Sequence, residues 1–156
     1  MKKMRKVIVG VLLIIMMVVL VGCGERKART AENFKTNMVN HGYTVQDETY
    51  LFSYAGYVEK AYIAKDSSLK YQIEFYELSD IESAKYFYNY NKEIFETSKT
   101  SASMYKSVNV ANYEKYTLQT DGKYKVISRI DNTVIYLDVD SQYKNAVDDV
   151  LEGLGY

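Results

Sequence analysis

Few side chains in this sequence have the types and spacing that chemistry requires. His41 is the single histidine. Nucleophilic catalysis therefore has one candidate base, and no G-x-S-x-G elbow supplies a nucleophile. H-E-x-x-H, Walker A and dinucleotide fingerprints are all missing from the chain. The densest carboxylates are Asp138, Asp140, Asp148 and Asp149. They lack the glycine and terminal glutamate of a calcium loop. Their pattern reads as a strand end followed by a helix start, with Asp140 or Ser141 as the cap. Two carboxylates can hydrolyse a glycoside when a fold brings them together, but no spacing nominates a pair. His41 falls seven residues after Phe34 on an apolar helical stripe, so it is expected to be partly buried and hydrogen-bonded. The remaining candidates are aromatic. Tyr86 and Tyr90 lie four apart on a polar helix face beside Glu82, Asn89 and Glu93. Rigid aromatics there can stack on a sugar or on a partner's side chain. These two tyrosines are the candidate binding surface, the alternatives being that loop aromatics or the tether cover them or that they simply tolerate solvent; no catalytic residue, metal ligand or cofactor is expected.

Cys23 is the sole cysteine, which leaves no intrachain disulfide and no multi-cysteine metal site. It ends the stretch MKKMRKVIVGVLLIIMMVVLVGC. Lys2, Lys3, Arg5 and Lys6 precede an uncharged apolar run from Val7 to Val21. A charged segment followed by a short apolar one is the pattern of a secretory leader. The run falls short of the ~18–20 residues of a comfortable membrane span. Leu20-Val21-Gly22-Cys23 resembles the lipobox of bacterial lipoproteins, and the resemblance covers the leader only. It implies cleavage between Gly22 and Cys23 and a diacylglycerol on the Cys23 sulfur. It also implies a mature protein anchored to the cell membrane and facing outside the cytoplasm. Two acyl chains make a firm anchor, because one alone binds marginally.

The leader, residues 1–22, holds four of the 20 Lys and Arg and none of the 20 Asp and Glu, so the remainder carries a net charge of −4. A mildly acidic surface argues against nucleic acid as a partner. The membrane, reached through Cys23, is one expected partner, and an envelope protein or glycan is the other. Residues 23–29 read as the lipidated cysteine and a short polar tether. Arg26, Lys27 and Arg29 are placed either against anionic headgroups, at ~1 kcal/mol each, or in solvent. Residues 30–156 read as one domain, monomeric and stable by packing alone.

The elements that must position these residues follow from periodicity. A helix is expected over Thr30–His41, capped by Thr30, with Ala31, Phe34 and Met38 inward. Three strands follow: one opening at Tyr43-Thr44-Val45, then Val58–Lys65 and Leu69–Leu78. Thr49–Tyr57 is either a hairpin extension or an aromatic loop. Ser79-Asp80-Ile81-Glu82 reads as a capping box with Ser79 as the cap. The helix behind it should bury Ile81, Ala84, Phe87, Tyr88 and Phe95 and turn Tyr86 and Tyr90 to solvent. Three more strands are expected over Tyr113–Gln119, Lys123–Ile130 and Thr133–Val139. Burial on one face favours a three-residue loop with a bulge at Gly122, which sets Tyr116 and Leu118 beside Tyr124 and Val126. A last helix spans Ser141–Leu154. The fold class is α+β: an antiparallel sheet whose apolar face is covered by amphipathic helices, in the approximate order α-βββ-α-βββ-α. The shared Gly-Tyr after the first and last helices (Gly42-Tyr43, Gly155-Tyr156) hints at an internal duplication.

Overall fold

The computed structural model describes residues 24–156; the leader, its lipobox and Cys23 lie outside the described residues. Helix α1 spans Ala31–Asn40, and the Thr30 hydroxyl accepts from the Asn33 amide at 3.2 Å. Three strands follow: β1 Thr44–Asp47, β2 Val58–Lys65 and β3 Gln72–Leu78. Between β1 and β2 the aromatic segment is a 3-10 turn, Thr49–Phe52, and a loop. Helix α2 runs Ile81–Thr97. Four strands then form a meander: β4 Met104–Val110, β5 Tyr113–Thr120, β6 Lys123–Ile130 and β7 Thr133–Asp140. A 3-10 turn, Ser141–Tyr143, leads into α3, Lys144–Leu154. The second block thus has one strand more than the sequence predicts. The unforeseen strand is β4, an edge strand whose residues are almost all exposed, so it carries no apolar alternation to read.

All seven strands join one antiparallel sheet in the order β1-β2-β3-β7-β6-β5-β4, with β3 and β7 paired at its centre. The expectation of a single covered face is corrected here. Helices α1 and α3 cover one face, packing Phe34, Met38, Val147 and Leu151 over Ile73, Phe75, Val126 and Leu137. Helix α2 covers the other, packing Ala84, Tyr88 and Phe95 over Tyr76, Leu78, Tyr116, Leu118 and Ile127. The central strands show why. In β6 and β7 both parities are apolar, with Val126 beside Ile127 and Val134 beside Ile135, as strands buried on two faces require.

Two-sided burial also overturns the three-residue loop after β5. Thr120 pairs with Lys123, so Asp121 and Gly122 alone make the turn, at φ 47° and 75°. Positive φ at both positions suits a two-residue hairpin turn whose twist matches the strands. Tyr116 and Leu118 consequently face α2, while Tyr124 and Val126 face α3. Each set is buried, so burial could not choose between the registers.

The ends of the helices carry further corrections. Asp80, not Ser79, caps α2: its carboxylate accepts from the Ser83 amide at 2.7 Å. Ile81, expected inside, is exposed because it is the first helical residue. Ala84, Tyr88 and Phe95 are buried; Phe87 lies on the flank of that stripe and is half-buried. Neither Asp140 nor Ser141 caps α3 through its side chain; Asp140 instead accepts from Lys123 at 2.7 Å. Gly42 and Gly155 both adopt left-handed φ, 83° and 89°, just past a helix. The repeated Gly-Tyr therefore marks two helices that end alike on the same face of the sheet. Helix α2 lies on the opposite face and has no such ending.

Candidate functional site

The sequence candidates lie apart. His41 sits exposed at the end of α1, and its ring nitrogen Nδ1 is 2.8 Å from the Asn37 carbonyl. That corrects the partly buried histidine: position 41 is the C-cap, beyond the last turn that touches the sheet. Asp138, Asp140 and Asp148 each pair with their own lysine, Lys125, Lys123 and Lys144. Among the described residues no group of three His, Cys, Asp or Glu side chains is placed to hold a metal. Tyr86 and Tyr90 do meet, on the outer face of α2. They are 65% and 54% exposed, and their rings stack at 6.3 Å and 17°.

A concavity lies elsewhere. It is a groove of about 630 Å³ beside α3, on the side of the sheet where β4 and β5 extend past the helix. Alternation along β5 aims Tyr113, Lys115 and Thr117 into its floor, opposite Val110, Val108 and Lys106 of β4. Lys144, Asp148 and Glu152 come from one face of α3, spaced four residues apart as adjacent helical turns require. Tyr124 reaches the groove from β6, and exposed Met104 lies on its rim; Tyr105, next along β4, turns to the α2 face and stacks on Tyr116.

Asp148 is fixed from two sides. The Tyr124 hydroxyl donates to one carboxylate oxygen at 2.7 Å, and the Lys144 ammonium donates to the other at 2.5 Å. Burial, then this bond to a carboxylate, pushes the Tyr124 phenol up, which keeps it a donor. Lys115 is less well provided. Among the described residues its ammonium makes one hydrogen bond, to the Tyr156 main-chain oxygen at 3.3 Å. Burial lowers its pKa; nearby Asp148 opposes the shift, and Arg26, Lys106 and Lys144 add to it. The lining as a whole carries four cations, Arg26, Lys106, Lys115 and Lys144, against the carboxylates Asp148 and Glu152.

Residues 24–29, read from sequence as a short polar tether, make contacts with the domain at Arg26 and Arg29. The Arg26 amide donates to Asn112 Oδ1 at 2.9 Å, and Asn112 Nδ2 donates back to the Arg26 carbonyl at 2.7 Å. The Arg26 guanidinium lies 3.6 Å from the centre of the Tyr113 ring and donates to the Gly155 carbonyl at 2.7 Å. Arg29 donates to the Leu154 carbonyl at 3.0 Å. Both arginines thus serve carbonyls at the end of α3, where a helix leaves acceptors unpaired and favours positive charge. Tyr156 is buried beneath them, its hydroxyl bonded to Thr133.

Such a site joins a two-face-covered antiparallel sheet to an N-terminal strap. A scan against protein-family models, and searches of curated proteins and of solved structures, return no match. Among the described residues no helix is long and apolar enough to cross a membrane. Sequence reasoning missed the groove. Lys115, between Tyr113 and Thr117 on β5, becomes a signal only once the register turns it inward.

Proposed function

We propose that this chain is a lipid-anchored binding module, non-catalytic, held by Cys23 on the outer face of the cell membrane, with the groove beside α3 as its ligand site. The leader and its lipobox-like end support the address. The observation that carries the binding role is Lys115. A lysine in the floor of a 630 Å³ groove with a single long hydrogen bond has donors left for a ligand. Tyr113 and Tyr124 give the groove an aromatic lining. Binding is favoured over catalysis because Tyr124, Asp148 and Lys144 already bond to one another rather than poising a nucleophile.

Two measurements test this. Metabolic labelling with a lipid probe should mark the protein and vanish in Cys23→Ser; undiminished labelling refutes the anchor. Native mass spectrometry of the protein gently extracted from its own membranes should show an added mass that Lys115→Met loses. Retention of that mass in the variant refutes the groove as the site. One observation favours a second reading. The exposed, stacked Tyr86–Tyr90 pair suits a glycan ring, and retention on cell-wall glycan that the double alanine variant abolishes would support it.

A further inference from the structure

We propose that the groove receives the phosphate of an anionic lipid headgroup, with Lys115 as the cation that meets it and Lys106 beside it. This rests on the lipid-anchor reading above. Three observations converge. The first is a lysine with donors to spare. Lys115 is only partly accessible and makes one hydrogen bond among the described residues, to the Tyr156 main-chain oxygen at 3.3 Å. A poorly solvated ammonium is costly unless paired, and a phosphate oxygen would fill its remaining donors. Asp148 does not fill them: among the described residues no hydrogen bond joins it to Lys115, and its oxygens accept from Tyr124 and Lys144.

The second observation is position. Arg26 lines the groove and is bolted to Asn112, Gly155 and the Tyr113 ring. Only Gly24 and Glu25 separate it from Cys23. Three residue steps span at most ~11 Å. A diacylglycerol on Cys23 would therefore hold the strap end of the groove against the headgroup layer, itself several ångströms deep. The nearest abundant phosphates there belong to lipids. Exposed Met104 on the rim would meet the less polar glycerol region.

The third observation is charge distribution. From Cys23 onward the chain carries −4, so a smeared attraction to an anionic surface is not available. Recognition has to be local, and the groove lining is where cations outnumber carboxylates by four to two. An inorganic phosphate offers the same oxygens as a headgroup, and the experiment separates the two sources.

The test is lysine footprinting of the full lipidated protein in vesicles. Acetylation rates at each lysine are read by mass spectrometry in phosphatidylcholine vesicles, in vesicles containing phosphatidylglycerol, and in phosphatidylcholine with millimolar inorganic phosphate. Expected is a several-fold slowing at Lys115 and Lys106 with phosphatidylglycerol alone, with exposed Lys85 on α2 unchanged. In Lys115→Met the protection of Lys106 should disappear while the thermal midpoint stays within a few degrees. Equal rates in all three arms overturn the proposal. Equal protection by inorganic phosphate overturns the lipid as source. If the intact mass shows no diacylglycerol on Cys23, the anchor reading fails by itself. Protection by soluble glycerophosphoglycerol but not by glycerophosphocholine would then uphold the groove's preference for the anionic headgroup, and no protection by either would refute it.

Discussion

Glu114 and Arg129 face each other across β5 and β6 beneath α2, and their side chains are 15% and 4% exposed. Arg129 Nε donates to Glu114 Oε2 at 2.6 Å, and Nη1 donates to the Asp131 carbonyl at 2.8 Å. Asn109 Nδ2 lies 3.2 Å from the other Glu114 oxygen. Removing one partner of a buried pair strands the other charge, at ~3–5 kcal/mol. Glu114→Leu should fall in that range, because the guanidinium keeps one main-chain acceptor and almost no water. Arg129→Met should cost less, about 2–3 kcal/mol, because Glu114 keeps Asn109 and some solvent. The double variant removes both charges and keeps the volume apolar, so it should be less destabilised than Glu114→Leu alone. The coupling energy should then be at least ~2 kcal/mol. Urea unfolding followed by circular dichroism gives all four corners of the cycle. Additivity within ~0.5 kcal/mol would refute this account and show that the pair is solvated in solution.

The cap of α2 separates two assignments that sequence alone confuses: Asp80→Ala should cost ~1 kcal/mol, and Ser79→Ala should change the unfolding midpoint little. Tyr86→Ala with Tyr90→Ala should leave stability within ~1 kcal/mol, whereas Phe95→Ala, fully buried against the sheet, should cost ~3–5 kcal/mol; unfolding of the double variant would show that α2 is buried on both sides. Alkaline pH should destabilise the fold: the bond to Glu32 and then burial push Tyr62 up to about 12, and burial with the charges of Asp138 and Glu74 pushes Tyr136 up to about 12. Free tyrosine ionises near ~10, so these groups stabilise the folded state fully below that pH. Their contribution should be lost between pH 10 and 12, where the unfolded chain releases protons that the folded chain keeps. Denaturant midpoints measured from pH 9 to 12 should fall across that window, and a flat profile would count against the buried phenols.

Local signals were legible where a single face or a single cap determined them. Thr30, Phe34 and Met38 placed α1, and Val147, Val150, Leu151 and Leu154 placed the stripe of α3, because a helix on a sheet buries one periodic face. Alternation in β3 set Ile73 and Phe75 against Glu74 and Tyr76. What it could not show was that the second set is also covered, since Tyr76 and Leu78 pack beneath α2. Register arguments assume one dry face. When Tyr116 and Tyr124 are both buried on opposite faces, that assumption removes the very contrast that would choose the loop.

The groove was illegible for a different reason. Its residues come from positions spread between Arg26 and Tyr156, and only the placement of α3 over the β4–β5 side brings them together. Lys115 in isolation reads as one more surface lysine on a polar parity. It becomes informative once the two-residue turn after β5 fixes which parity faces α3, because that register aims it inward between Tyr113 and Thr117. The same register turns Glu114 the other way, toward Arg129 under α2. Adjacent opposite charges on β5 thus acquire opposite fates. One is neutralised within the core, and the other faces a groove in which Asp148 is already bonded to Tyr124 and Lys144. A one-residue slip would exchange them, so the turn at Asp121-Gly122 decides where this protein presents its charge.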